Sequence, residues 1–230
     1  MSSLTLRFAT FVASNPRIVL GTASSSRRQI MDSLASQYSF KYEVLKADID
    51  EKAIRHDSPR DLVLALAHAK ADALLPKLTA GNSSSSSSSN LAARQVAGGT
   101  SGTFLITCDQ VVVHEGQLRE KPEDVAEAHR FIHSYSKSPA QTIGSVLCTN
   151  MTTGSRHETV EVCTIHMSDM PDDVIDKLVE EGDVMWCAGG LMVEHALVVP
   201  YIKQIDGSQE SVMGLGKEAV MSVLVAAAGM

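Results

Sequence analysis

No apolar run in this chain approaches the roughly 20 residues that a bilayer-spanning helix requires, so no membrane partner is expected. Positive charge is not in excess either. Twenty Lys and Arg stand against 27 Asp and Glu, for a formal net charge of −7. That balance argues against nucleic-acid and anionic-membrane partners, which need a basic surface. An anionic small molecule would have to find a local cationic pocket set against the average field. The four cysteines, Cys108, Cys148, Cys163 and Cys187, form no CxxC and have no nearby histidine at zinc-ligand spacing. Each lies in or beside an apolar run, which favours buried free thiols in a reducing, cytoplasmic compartment. Acids are absent before Asp32. A single Arg7 among hydroxyls is thin support for a transit peptide, so residues 1–16 are read as a ragged N-terminal extension.

What the chain does hold is organised around Ile18–Met31. The apolar run Ile18-Val19-Leu20 breaks at Gly21. Small hydroxyl residues follow, then Arg27 and Arg28, then the apolar start of a helix at Ile30 and Met31. The pattern is strand, small-residue turn, helix. Such a turn offers unpaired N–H groups and a positive dipole end, and two guanidinium groups there would suit phosphate oxygens. A plain turn with two solvated arginines fits the local pattern as well. At 230 residues and 44% hydrophobic content, the chain can bury the core of one α/β domain or of two closely packed lobes.

Further along, Asp48, Asp50 and Glu51 crowd three carboxylates into four residues. Crowded carboxylates repel unless a cation or metal joins them, although an acidic loop or helix cap explains the bare pattern. Asp57-Ser58-Pro59 starts a helix that is expected to stop at Pro76. Within it Lys70 falls on the shoulder of the apolar stripe, where it either snorkels to water or enters a cleft to meet an anion. His68 falls on the opposite, solvated side. Residues 79–103, with seven consecutive serines and a glycine cluster, read as a disordered surface insertion. Asp109 stands between Phe104-Leu105-Ile106 and Val111-Val112-Val113. A carboxylate there is costly unless paired, protonated or metal-bound, and it is the best single candidate for chemistry. Pro122 is expected to open a helix, which would place Lys121 at a helix N-terminus as a second anion site. Glu194 stands among apolar neighbours, and Val212 to Ala228 reads as one closing helix.

These residues match a family. Leu20–Arg28 resembles the opening motif of the Maf proteins, LASxSPRR. The agreement continues in order: Asp50-Glu51 with VDE, Ala69-Lys70-Ala71 with the AxxKA-type helix, and Cys108–Val112 with D[TQ]VV. It goes on with Lys121-Pro122 for GKP, Ala188 to Glu194 for AGxxxxQ/E, and Ile205 to Leu215 for IxGxxxNVVGLP. The resemblance covers roughly Arg17 to the C-terminus outside the serine-rich stretch. It implies the α/β fold shared with the inosine-triphosphate pyrophosphatases, a mixed twisted sheet with two lobes around a long cleft. Residues 17–230 would then form a single Maf-like domain. The activity implied is hydrolysis of a nucleoside triphosphate between the α and β phosphates, with a divalent cation, Mg²⁺ or Mn²⁺. Asp109 would be the base that activates water. Ser24, Arg27, Arg28, Lys70 and Lys121 would hold the substrate, and Glu51 and Asp109 would be metal ligands. A homodimer is a further expectation of the family.

The chain also departs from the pattern. Ser25-Ser26 stands where the family has Pro-Arg, Glu120 where it has Gly before Lys-Pro, and Ser211 where it has Asn. Ser26, Gln110 and Glu194 bear on specificity. The dTTP/UTP branch looks like Arg, Thr and Gln at these positions, whereas the 7-methyl-GTP branch has Gln and Glu at the last two and lacks the Arg. This chain is similar to the second. A carboxylate suits the N1–H and N2–H₂ donors of guanine and the positive charge added by 7-methylation. Competing readings are a dTTP/UTP or broad inosine-triphosphate-type pyrophosphatase, and a non-catalytic regulator of septum formation.

Overall fold

The computed structural model describes residues 2–83 and 102–230. Seven strands form one sheet: β1 (Arg17–Gly21), β2 (Tyr42–Leu45), β3 (Thr103–His114), β4 (Gln117–Arg119), β5 (Ala140–Asn150), β6 (Arg156–Met167) and β7 (Ile202–Asp206). The order is β2-β1-β3-β5-β6-β7, with β4 paired to the far end of β3. Strand β1 runs parallel to β2 and β3, and every other pairing is antiparallel. The sheet is therefore the mixed one expected, with its parallel part at one side.

Helices cover both faces. They are α1 (Ser3–Ala13), α2 (Ser25–Tyr38), α3 (Pro59–Ser83), α4 (Val125–Ser134), α5 (Asp172–Glu180), the short α6 (Gln209–Val212) and α7 (Lys217–Ala227). The apolar run of β1 is continuous because a parallel strand is buried on both sides: Ile18, Val19 and Leu20 are at most 1% exposed. Val19 and Leu105 face α3, packing with Ala67, Ala71 and Leu74. Ile18, Leu20, Phe104 and Ile106 face the other way, onto α1, α2 and α7. A second core beneath α4 and α5 gathers Val112, Ile132, Ile165, Ile175 and Leu178. Among the described residues all four cysteines are free, and no helix is long and apolar enough to cross a membrane.

Several sequence expectations are corrected. Residues 3–13 are not ragged: α1 docks through Phe8 and Phe11, both fully buried, and the ring of Phe11 meets that of Phe104 edge-on at 5.0 Å. The helix from Pro59 does not stop at Pro76 but continues to Ser83. Leu74 and Leu78, buried on either side of the proline, hold that turn against the sheet at the cost of one backbone bond. Of the stretch read as an insertion, residues 79–83 thus belong to α3 and Thr103 to β3, while 84–101 lie outside the described residues. His68 is not left to solvent, because α3 lies across β6: its ring meets Glu158 at 2.5 Å and Arg156 at 3.0 Å. Residues 212–228 do not form one helix. The chain turns at Gly214, between α6 and α7, with φ +108°.

Candidate active site

The site lies where β1 ends and β3 continues. Gly21 pairs with Thr107, two residues short of Asp109. A Cβ at Gly21 would lie 2.6 Å from Leu74 and 2.8 Å from Thr107, so glycine is what lets α3 pack over this junction. Side chains alternate along β3, and Thr107 and Asp109 both face α3. Thr107 donates to the carbonyl of Ala67 at 2.8 Å. One turn on, the Lys70 ammonium donates to Asp109 Oδ1 at 2.5 Å and reaches Glu51 Oε1 at 2.9 Å. Lys70 and Asp109 are 8% and 7% exposed. Lys70 thus does not snorkel to water: it is buried and meets two carboxylates.

The acidic trio divides its work. Asp50 caps a 3₁₀ turn at Glu51–Ala53 by accepting from the Lys52 amide, Asp48 is exposed, and only Glu51 reaches Lys70. Burial pushes the Glu51 carboxyl up, but Lys70 and then Arg27 and Lys121 outweigh it and hold it below the ordinary value. Lys70 is in direct contact with this carboxylate, and Arg27 and Lys121 act on it through their charge.

Serine 24 caps α2 by accepting from the Arg27 amide at 3.3 Å, which leaves its hydroxyl proton free to donate outward. Ser26 is half-buried in the first turn of the same helix. Arg27 turns inward, donating to the carbonyls of Gly214 at 3.0 Å and Cys108 at 3.2 Å. A Cβ at Gly214 would lie 2.9 Å from Arg27 Nε, so a glycine seats this guanidinium. Burial opposes its charge, but Cys108, Asp109 and Glu51 outweigh that and raise its pKa further. Arg28 is not brought to this group. It is exposed; its amide donates to the Ser24 carbonyl at 3.3 Å, and its carbonyl accepts from the Tyr42 hydroxyl at 3.2 Å. Adjacent helical residues diverge by about 100°, so two arginines in sequence could not share one seat.

Lys121 does not sit at a helix N-terminus: α4 starts at Val125, capped by Asp124. Its position is fixed differently, since the Glu120 carbonyl accepts from the Gly189 amide at 2.8 Å. Glu194 is exposed. Burial, then Glu194 and Asp183, push the neighbouring Cys187 thiol up to about 11 against the pull of Lys121. Gln110, by strand alternation, faces away from Lys70. Its amide donates to the carbonyls of Ser211 at 2.7 Å and Val212 at 3.0 Å. It braces the α6 segment, and its oxygen lies towards Gly214 and Arg27.

Sequence reasoning missed Ser145 and Arg55. Ser145 is buried beside Asp109, accepting from the Asp109 amide at 3.3 Å and donating to the Val63 carbonyl at 2.7 Å. Nothing local marks it, because it is defined by the β3–β5 register. Arg55 pairs with Glu120 at 3.2 Å. The acid noted beside Lys121 was the available signal, since it called for a cation.

The family model described as "Maf-like protein" matches residues 17–227. A 7-methyl-GTP pyrophosphatase of Dictyostelium discoideum is 35% identical over 207 residues, covering 90% of this chain and 95% of that protein. A nucleoside triphosphate pyrophosphatase of Salinispora tropica is 30% identical over 200 residues, covering 86% and 78%. A dTTP/UTP pyrophosphatase of Geotalea uraniireducens is 26% identical over 199 residues, covering 86% and 88%. With a family model spanning nearly all the described strands and helices, and relatives of matching length, the chain belongs to the Maf-like protein family.

Proposed function

We propose that this protein is a nucleoside triphosphate pyrophosphatase that hydrolyses the α–β phosphate bond, with a 7-methyl-GTP-like nucleotide as the favoured substrate. The observation that carries the reading is the Lys70 ammonium spanning Glu51 and Asp109, with Arg27 and Lys121 close enough to act on Glu51. The likeness to a relative named 7-methyl-GTP pyrophosphatase supports the substrate class.

In this reading Arg27, Lys70, Lys121 and the free proton of Ser24 hold the triphosphate and spread its developing charge. Lys70 keeps Asp109 Oδ1 occupied, and the second oxygen accepts the proton of a water. That water's oxygen bonds to phosphorus as the bridging P–O bond breaks, giving nucleoside monophosphate and pyrophosphate. Arg28 drops out of the phosphate-holding set, and Gln110 serves by seating the α6 segment beside Arg27. Glu194 offers a carboxylate to the N–H donors of the base, and Ser26 leaves uncharged a position where the other branch carries Arg.

A divalent cation, Mg²⁺ or Mn²⁺, fits the pair Glu51 and Asp109, because both carboxylates already converge on one positive charge. Among the described residues no group of three or more His, Cys, Asp or Glu forms an all-protein cage. Phosphate oxygens and water would complete the shell, as a hard cation allows. Such an ion would neutralise phosphate charge. The resemblance also carries a homodimer, which sedimentation equilibrium of the purified chain reads directly.

The test is pyrophosphate release from a panel of 7-methyl-GTP, GTP, ITP, UTP and dTTP with Mg²⁺ or Mn²⁺. The reading expects 7-methyl-GTP to lead in kcat/KM. Equal rates on ITP would move the protein to the broad type, and no turnover of any nucleotide would leave a binding protein.

A further inference from the structure

Arg55 follows the 3₁₀ turn that starts at Glu51. Its guanidinium donates to the carbonyls of Ile54 at 3.0 Å and Glu51 at 3.4 Å, so it is rooted in the loop that carries Glu51. The same guanidinium meets Glu120 at 3.2 Å. Glu120 immediately precedes Lys121, and its own carbonyl is tied to the Gly189 turn. One ion pair thus joins the segment bearing Glu51 to the segment bearing Lys121.

The placement of Glu120 needs explaining. An acid beside a lysine that meets a polyanion weakens the attraction by simple Coulomb repulsion. Residue 120 therefore costs binding unless it does something else. The structure shows what else is available: Glu120 is the anchor that pulls the Lys121 segment towards the Glu51 loop. Both partners of the pair are about half exposed, at 53% and 51%. Pairs of that kind are worth up to about 1 kcal/mol. The two backbone carbonyls that already fix Arg55 reduce the entropy lost in making this one.

We propose that Arg55 and Glu120 are positioning residues, a bridge that sets the separation of Glu51 and Lys121 and so the fit of the polyphosphate between them. The inference rests on the reading that a triphosphate binds here. Arg55 touches no phosphate in this scheme; it acts through Glu120.

The sign of one substitution separates the bridge from plain electrostatics. Binding of inorganic tripolyphosphate with Mg²⁺, read by calorimetry on the full chain, is the probe. The bridge requires Glu120→Gln to weaken binding about three- to fivefold although it removes a negative charge. Tighter or unchanged binding overturns it. The exchanged pair Arg55→Glu with Glu120→Arg should recover wild-type affinity to within about twofold. Failure of that rescue, with Arg55→Glu alone equally weak, assigns Arg55 a direct phosphate contact and overturns the bridge. For hydrolysis the change should fall on KM, with kcat within about twofold. The two readings fail separately. Wild-type turnover without this pattern sinks the bridge alone, whereas the pattern in tripolyphosphate binding without nucleotide turnover sinks the enzymatic reading alone.

Discussion

Lys70 is where the chemistry of single residues concentrates. It is buried, and it is satisfied only because two carboxylates reach it. Removing one partner of a buried charge group leaves the others uncompensated. Lys70→Met should therefore cost about 3 kcal/mol, at the low end for such a change, because Glu51 keeps 56% of its side chain exposed. Urea denaturation at neutral pH measures it. Asp109→Asn preserves shape and the Lys70 contact but cannot take a proton. Pyrophosphate release should fall about 10³-fold, within the range for losing a general base, while tripolyphosphate still binds. Retained activity would remove Asp109 from the role of base. Both residues were legible in the sequence because each offends a local rule: an ion sits on an apolar face or between apolar runs. Arg27 was legible through its motif, but nothing local could tell its inward turn from the outward one of Arg28.

At the scale of elements, the α6–α7 turn is held by a contact that depends on pH. Glu161 on β6 accepts from the Ser211 hydroxyl at 2.9 Å and from the Gly216 amide at the start of α7. Burial raises its pKa, Glu218 adds to the rise, and the Ser211 and Gly216 bonds only partly offset it. A raised carboxylate penalises the folded state when ionised. The penalty is absent at pH 4, sets in as pH rises through the ordinary value of 4.5, and is complete above the raised folded value. Glu161→Gln keeps an acceptor for Ser211, so it should raise the Tm at pH 8 and leave it unchanged at pH 4. A thermal melting series across that range decides it, and an equal shift at both ends would contradict the assignment. The sequence showed none of this, because Glu161 reads as an ordinary alternating strand residue until Ser211 of α6 and the start of α7 close over it. The end of α3 was misjudged for a related reason. Proline's local cost at position 76 is real, but Leu74 and Leu78 outweigh it through contacts far away in sequence.

For the molecule as a whole, the sheet ranks its strands. β3 is paired to β5 over Phe104–His114 and, on its other edge, to β1 over Thr103–Thr107 and to β4 over Val112–His114, whereas β2 and β7 are outermost. Amide exchange should therefore be slowest in Leu105–Thr107 and the facing part of β5, and fastest among strands in β2 and β7. Faster exchange in β3 than in β2 would contradict this order. Single strands such as Ile18–Leu20 and Phe104–Ile106 were readable as apolar runs bounded by turns, whereas the mixed sheet was readable only through the family resemblance, whose motifs come in order along the chain. The docking of α1 was not readable, since a capping Ser2 and eleven residues without an acid give no hint that Phe8 and Phe11 meet Tyr38 and Phe104.

Alternation along β3 has a genetic consequence. Asp109 and Gln110 serve opposite faces of one extended segment, the first beneath Lys70 and the second beneath the carbonyls of Ser211 and Val212. Deleting a single codon between those for Phe104 and Cys108 would invert the strand from that point onward, aiming the acid at α6 and the amide at Lys70. Losing two codons together would preserve the facing while shortening the strand. Length changes in this stretch are therefore survivable only in even steps.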